Sequence, residues 1–562
     1  MPLKPIFDKA PLTAMTCQPL RAGLVRMENA AISKLYQLTA AANQPAALEG
    51  TFRLACIVTA KPGEEPVAAK IRALLSAQKE DGSFDLSFQD SVALLRACWA
   101  LYEYEARKPL LDYIARWCAY AVQHWDELMD DDAIWANSAD LLELLENLYR
   151  VTGKSAVLTL CERVANQTMG WSSVLNTASS QRATNRTVTR EELESGMMKE
   201  ADSREGYYSR FYRTNHGESL ADGARSTMAK GWYSGSATEL NATRNGWERL
   251  SRYHGAICGG LTSDELLEGT SPVEAVSTAA LGAWTEALCA AAMGDKADWA
   301  YDALERLAYN ALPACLVEDK LLAFQRVNTL VTAPDDSKCF AVSADHEQRA
   351  LCRLVRGYAA LASAAVCARA DGAAFNIYMP GRYAVPVEED LLIFTVAASI
   401  KGASITVYCK QETKAVVRLR MPSWSRNTEV SVNGTHGHEE VKANVMALDR
   451  TWHDGDTIAI AFEQTLSVVD GHHQGKYVLR GPVLMALLVN GEGWQKAFVS
   501  AAAEDNRVVA MLDAVNEWKA KGDVPADVPV LPATAGAPAG IALTPYAKTP
   551  ARIALFPGRK QA

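Results

Sequence analysis

No CxxC pair and no HExxH triplet occurs in the 562 residues of this chain. The first absence removes the zinc-ribbon and thioredoxin signatures, and the second removes the zincin helix. No apolar run is long enough for a membrane span, which takes roughly 18 residues. The most apolar stretch, STAALGAWTEALCAAAM from Ser277 to Met293, carries Glu286 and reads as a buried core helix. There is no basic stripe: 57 Lys and Arg stand against 66 Asp and Glu, for a net charge of −9. That balance argues against nucleic acid or another polyanion as a partner. The opening MPLKPIFDKAPLTAMTCQPL lacks a basic segment followed by an apolar one, so no secretory signal is expected and a cytoplasmic protein is.

What is present suits a large enzyme or binding protein. At 49% hydrophobic residues the chain can fill sizeable cores, and its length suggests two or three domains. The 12 cysteines run from Cys17 to Cys409, mostly inside apolar helical patterns, and read as buried free thiols. Of the 9 histidines, His436, His438, His472 and His473 fall near turns and read as exposed loop residues rather than a metal site.

Up to about residue 370 apolar residues recur at three-and-four spacing, as in SVALLRACWALYEYEA and SADLLELLENLYRVTG. Short breaks of Gly, Asp-Gly or Pro separate these helices, and no sharp repeat marks a solenoid. Antiparallel helical pairs closing into a barrel are expected over 31–370. Beyond about residue 371 the period changes to two, with AVVRLRMPSW and TIAIAFEQTLSVVD as examples and Asn433-Gly434 as a turn. An antiparallel β-sandwich is expected over 371–562, with residues 1–30 packing on it and a loose Pro/Ala/Gly-rich loop near 523–540.

One stretch stands apart. RYHGAICGGLTSDELLEGTSP, Arg252 to Pro272, sets Tyr253 and His254 beside glycines and then crowds Asp264, Glu265 and Glu268 into five residues. Clustered carboxyls raise one another's pKa, which a general acid needs. A solvated acidic loop capping the next helix is the plain alternative. Upstream, GYYSRFYRTNHGE carries Tyr212, His216 and Glu218 in an aromatic-dense segment; with Trp135 and Tyr253 it could stack sugar rings, or merely pack.

RYHGAICGGLTSDELLEGTSP resembles the "RYHG…GDE-L-G-SP" stretch of the β-L-arabinofuranosidase family, glycoside hydrolase family 127. DWAYDALERLAYNALPA resembles its "LERIAFNALPA", and TNHGESLADGAR its "HGVN-A-GLK" helix start. LRMPSWSRNTEVSVNG and ALDRTWHDGDTIAIAF resemble its sandwich motifs, and the likeness runs from PLTAMTCQPLRAGL to TPYAKTPARIALF. The resemblance implies a six-hairpin (α/α) barrel with a carbohydrate pocket at one mouth, followed by sandwich domains. It implies one Glu as general acid/base and a zinc-bound cysteine as nucleophile, with a Glu-x-Cys motif and an adjacent cysteine completing the metal site.

Residue by residue the match is uneven. Glu265 falls on the acid/base position, with Asp264 beside it. His216 and His254 fall on histidines of the corresponding segments, able to bind a sugar hydroxyl, position a carboxylate or simply cap a helix. Arg356 matches an arginine that follows the cysteine pair. The Glu-x-Cys positions fall on Ala275-Val276-Ser277 and the cysteine pair on Arg349-Ala350. Cys352 would lie inside a helix, and Cys339 would need an insertion after it. A thiolate nucleophile on zinc needs a nearly full ligand set, so no metal, no cofactor and no cysteine nucleophile is expected.

The partner expected is a saccharide, with a second copy of the chain as the candidate oligomer. Three chemistries stay open: an inverting hydrolase, a sugar lyase or isomerase, and a saccharide binder without catalysis. For the hydrolase, Glu265 would be the acid, and Glu218, Asp222, Asp90, Asp140 or Glu274 the water-activating carboxylate, Glu218 first among them. Asp140, Asp264, Trp135, Tyr212, Tyr253 and Arg356 are the expected substrate contacts.

Overall fold

The computed structural model describes residues 16–128, 138–177, 214–264, 266–272, 274–294, 297–317, 320–328, 344–388, 390–436, 440–464, 466–472, 475–488, 528–530, 541–548 and 552–555. Trp135, Tyr212, Glu265 and Cys339 lie outside them.

The helices are Ala30–Thr39 (α1), Pro45–Val58 (α2), Pro66–Ser76 (α3), Phe88–Glu105 (α4), Pro109–Gln123 (α5), Ala139–Thr152 (α6) and Ser155–Gln167 (α7). Trp171–Thr177 (α8), Gly217–Ser234 (α9), Ala237–His254 (α10), Thr278–Ala291 (α11), Asp298–Arg306 (α12) and Ala344–Ala365 (α13) follow. Their ends obey local chemistry. Proline opens α2, α3 and α5, where its missing N–H costs nothing. Asn29, Ser87, Ser236 and Ser277 cap α1, α4, α10 and α11 through their side-chain oxygens. Gly153 and Gly235 end α6 and α9 at φ +63° and +68°.

Six helices close a ring by packing in the order α2, α4, α6, α9, α11, α13 and back to α2. The others lie outside it: α1 on α2, α3 on α2 and α4, α5 on α4, α7 on α6, α8 on α9 and α10, α10 on α9 and α12 on α11. Apart from α8, which follows the outer helix α7, ring and outer helices alternate along the chain, each turned back on its neighbour. The apolar Ser277 to Met293 run forms α11, buried almost throughout, as its composition suggested. Among the described residues no helix is long and apolar enough to cross a membrane.

Two sheets follow. One orders Gln18–Pro19, Val366–Arg369, Gly372–Phe375, Thr413–Arg420, Val445–Trp452 and Val441–Lys442. The other orders Thr435–His436, Thr428–Val432, Thr457–Phe462, Gly402–Tyr408, Asp390–Ser399, Gly381–Val387 and Val25–Arg26. They share one apolar core, in which Phe375 meets Phe394 edge to face at 5.1 Å. Along Thr457–Phe462 the side chains alternate out and in, burying Ile458, Ile460 and Phe462. Asn433 and Gly434, both at positive φ, make the hairpin turn. The segment before α1 contributes a strand to each sheet.

Two expectations need correction. The first sheet is not wholly antiparallel: Gly372–Phe375 pairs parallel with Thr413–Arg420, because the chain crosses to the other sheet between them and returns in the same direction. The stretch near 523–540 is not wholly loop either. Val528–Val530 pairs with Ile541–Pro545 at the edge of a third sheet, which also holds Leu466–Asp470, Lys476–Arg480, Val483–Leu488 and Arg552–Ile553. Two β-branched valines flanking an edge proline permit that pairing.

Candidate active site at the mouth of the helical ring

A cavity of about 520 Å³ opens where the ring helices begin. Its walls are the first turns of α2, α4, α6 and α9 and the first half of α13. Arg349, Arg353 and Arg356 recur on α13 at steps of four and three, so one helix face sends three guanidinium groups toward the cavity. Glu218 and Asp222 on α9 repeat at the same step of four.

The two faces interlock. Arg349 holds Glu218 at 2.6 Å and reaches His216 Nε2 at 3.2 Å. Arg353 donates to Glu218 at 3.2 Å and to both oxygens of Asp222 at 3.0 and 2.6 Å. Arg356 donates to Asp140 at 2.7 and 2.9 Å and to Glu286 at 3.0 Å. Deeper, Arg225 joins Asp222 at 3.1 Å and Asp140 at 2.8 Å, and contacts Glu143. Arg96 joins Glu49 at 2.7 Å and Glu143 at 2.6 Å. Each of the six ring helices thus supplies at least one charge to a layer across the ring. Buried charges persist only when paired in this way. The same layer borders a smaller cavity of about 160 Å³ further along the ring.

The pairing fixes protonation. Burial pushes the Glu218 carboxyl up, but Arg349 and then Arg353 outweigh it, leaving the group below the usual carboxylate range. Burial likewise opposes Arg356, Arg96 and Arg225 at Asp140, which ends well below that range. Both groups are anions at neutral pH with no proton to give. As bases they are weak, because their lone pairs already meet guanidinium donors.

The expected site residues divide accordingly. Asp140, His216, Glu218 and Arg356 line the cavity. Glu218 does not fit the water-activating role, because two arginines occupy both its oxygens. Asp140 and Arg356 satisfy each other rather than standing open to a ligand. His216 caps α9, accepting from the Ser219 amide at 3.3 Å. Its backbone pairs with that of Leu266, so the acidic turn before α11 reaches the rim of the cavity on the far side of Glu265 from Asp264.

His254 and Tyr253 do not line the cavity. His254 is buried at the end of α10, its Nδ1 against the Glu268 carbonyl. The Thr262 amide donates to the His254 carbonyl at 2.7 Å, and Glu268 accepts from the Ala275 amide at 2.6 Å. This histidine and Glu268 therefore hold the turn together. Gly259 turns the chain at φ +103°, with its missing side chain leaving room for Arg306. Asp264 lies in the strand Ser263–Asp264, which runs parallel to Val276–Ser277 ahead of α11. Arg349 and Arg353 were not singled out as site residues; the matched four-residue steps of 218/222 and 349/353 were the available signal.

A zinc–thiolate centre does not fit the donors here. The cavity carboxylates Asp140, Glu218 and Asp222 are saturated by arginine, and a metal ion would meet three guanidinium groups. Cys352 lines the cavity, but burial pushes its thiol up, and it accepts from Gln348 at 3.4 Å. Among the described residues no three His, Cys, Asp or Glu side chains group to hold a metal.

Residues 373–464, which make up most of the two facing sheets, match the profile of the β-L-arabinofuranosidase GH127 middle domain. Over that segment the chain is similar to glycoside hydrolase family 127. Its fold is similar to that of a solved protein titled glycoside hydrolase, with a TM-score of 0.68 and 12% identity over 99% of this chain and 100% of that one. It is similar to a GH127 β-L-arabinofuranosidase from Geobacillus stearothermophilus T6, with a TM-score of 0.56 and 17% identity over 81% of this chain and 77% of that one. A further solved GH127 β-arabinofuranosidase gives 0.57 and 14% over 84% and 86%. No curated protein matches by sequence. At such identities the GH127 likeness is one of fold.

Proposed function

We propose that this GH127 relative is a divergent glycoside hydrolase that works without a bound metal, on a small oligosaccharide or glycoside. In this reading the helical ring is a six-hairpin (α/α) barrel over 31–370, the facing sheets are a β-sandwich, and the saccharide enters the cavity at the ring mouth. Glu265 is the proton donor to the leaving oxygen. The supporting observation is the backbone pairing of His216 with Leu266, which ties the residue after Glu265 to a cavity-lining position. An inverting mechanism then needs a second carboxylate roughly 6.5–9.5 Å from the first, with water between.

The test is hydrolysis of a broad aryl-glycoside and oligosaccharide panel, starting with β-L-arabinofuranosides, with and without EDTA and beside Glu265→Gln. Activity that survives EDTA and collapses in the variant is the expected result. EDTA-sensitive turnover would refute metal independence. A second reading, a saccharide binder without catalysis, draws on the locking of three cavity carboxylates by arginine. It predicts a silent panel together with saturable calorimetric binding of a sugar.

A further inference from the structure

A third cavity, of about 450 Å³, lies on the outside of the helical ring, between α10, α12 and the third sheet. Among the described residues none lines both this cleft and the cavity at the ring mouth. Its volume falls within the roughly 300–1,000 Å³ of small-molecule sites. Two helix faces form its walls. Trp247 and Ser251 recur on α10 at a step of four, and Trp299, Asp302 and Arg306 recur on α12 at steps of three and four. Asp470, His472 and Tyr477 of the third sheet close the remaining side.

The walls offer two kinds of contact. Trp247 and Trp299 are half-buried and bring flat apolar rings to the cleft, with Trp247 packed on Trp284 at 5.2 Å. The charged groups are held in place by the protein. Asp302 accepts from Arg420 at 3.0 Å, and Asp470 pairs with Lys476 at 2.6 Å. Arg306 donates to the Ile257 carbonyl at 2.9 Å, its guanidinium 5.9 Å from the Tyr477 ring. Backbone bonds of 2.7 Å from Gly471 to Gly475 and 2.9 Å from Gly475 to His472 tie the loop that carries His472. Gly255, Gly259, Gly260 and Gly471 also line the cleft, so bare backbone forms part of its surface. Each carboxylate comes with its own cation, so a polyanion or polycation gains little here. A neutral polyol gains more. Its C–H faces meet aromatic rings, and its hydroxyls meet preset donors and acceptors.

We propose that this cleft is a second saccharide-binding site, which holds a short stretch of neutral sugar chain away from the cavity at the ring mouth. Trp247 and Trp299 take the C–H faces, Asp302 and Asp470 accept from hydroxyls, and Arg306 donates to them. The site rests on the saccharide part of the proposed function and does not depend on catalysis.

The experiment labels the full chain with 5-fluorotryptophan and follows its 13 tryptophans by fluorine NMR. Trp247→Phe and Trp299→Phe assign the two signals. The probes are arabinotriose, xylotriose and cellotriose, with trigalacturonate as the charged control. Both signals are expected to move and saturate with at least one neutral trisaccharide, and to move less with trigalacturonate at the same concentrations. Trp299→Ala is expected to weaken binding read at Trp247 about tenfold, with turnover of a small aryl glycoside within a few-fold of wild type. Signals that stay still through all three neutral probes, or that answer trigalacturonate first, overturn the proposal whatever the glycoside panel shows. A Trp299→Ala chain that binds as tightly as wild type, or that loses turnover of the small glycoside, does the same. If that variant fails to fold by circular dichroism, the wild-type titrations decide alone. Saturable shifts in a chain that hydrolyses nothing would refute the hydrolase reading and leave this site standing.

Discussion

Glu305 on α12 and Arg420 at the end of Thr413–Arg420 form a buried pair at 3.0 Å, each side chain 3% exposed. Trp424 donates its indole N–H to the same carboxylate at 2.8 Å. Two sequence motifs therefore meet in space: ALERLAYNALPA supplies the acid, and LRMPSW supplies both donors. A few residues on, Asn310 accepts from the Leu484 amide at 2.7 Å and donates to the Pro482 carbonyl at 3.0 Å. These motifs join helices to sheets and lie outside the cavity at the ring mouth. Removing one member of such a pair strands the other without its partner, at a cost of about 3–5 kcal/mol. Glu305→Ala is expected to lose that much in urea unfolding. Arg418→Ala, at the more exposed pair with Asp371 at 2.7 Å, is expected to lose about 1 kcal/mol or less.

Stability is expected to fall on the acid side. At Glu49 burial pushes the carboxyl up, but Arg96, Arg53 and Arg356 together hold it at about 2, against an ordinary 4.5. A group whose folded pKa is depressed contributes stability above its unfolded pKa and loses it as pH falls through the folded one. Asp140, Glu143 and Glu218 share this sign. Burial raises Glu146 and Glu305, which therefore act in the opposite sense and offset part of the loss. Urea midpoints measured from pH 7 downward should hold until about 4.5 and drop between there and about 2. A flat profile would mean that the charged layer is not paired in solution.

The ring depends on one close crossing. A side chain at Gly282 on α11 would place Cβ 2.3 Å from the Arg353 carbonyl oxygen on α13, and one at Gly357 would meet the Gly282 backbone at 2.8 Å. Backbone cannot yield as a flexible side chain can. Gly282→Ala should cost about 1–3 kcal/mol and, by displacing α13, weaken substrate turnover as well. Gly170→Ala, with nothing within 4 Å, should stay within about 0.5 kcal/mol of wild type. Thermal unfolding of the two variants side by side is the check.

The segment before α1 is structural. Leu20, Val25 and Met27 are buried, and its strands extend both sheets. Deletion of residues 1–28 should expose both sheet edges and yield aggregated protein by size-exclusion chromatography. A monodisperse, fully folded truncation would refute this role.

Much of this was written locally. Helical spacing up to about 370 and alternation beyond it record which faces must be buried, and those periods survive in any tertiary setting. Caps and turns such as Ser87 and Asn433-Gly434 were equally legible, because their chemistry involves only neighbours in the chain. The roles of charged residues were not. Glu218 and Asp140 looked open to a substrate because nothing near them in sequence pairs with them; the arginines on Glu218 arrive from α13, more than a hundred residues away, and those on Asp140 from α4, α9 and α13. His254 looked like a pocket residue until packing turned its ring to the Glu268 carbonyl. Local periodicity determined the elements. Only the closing of the ring decided which carboxylates are locked by arginine, because the field at a buried charge is set by whichever helices stand around it.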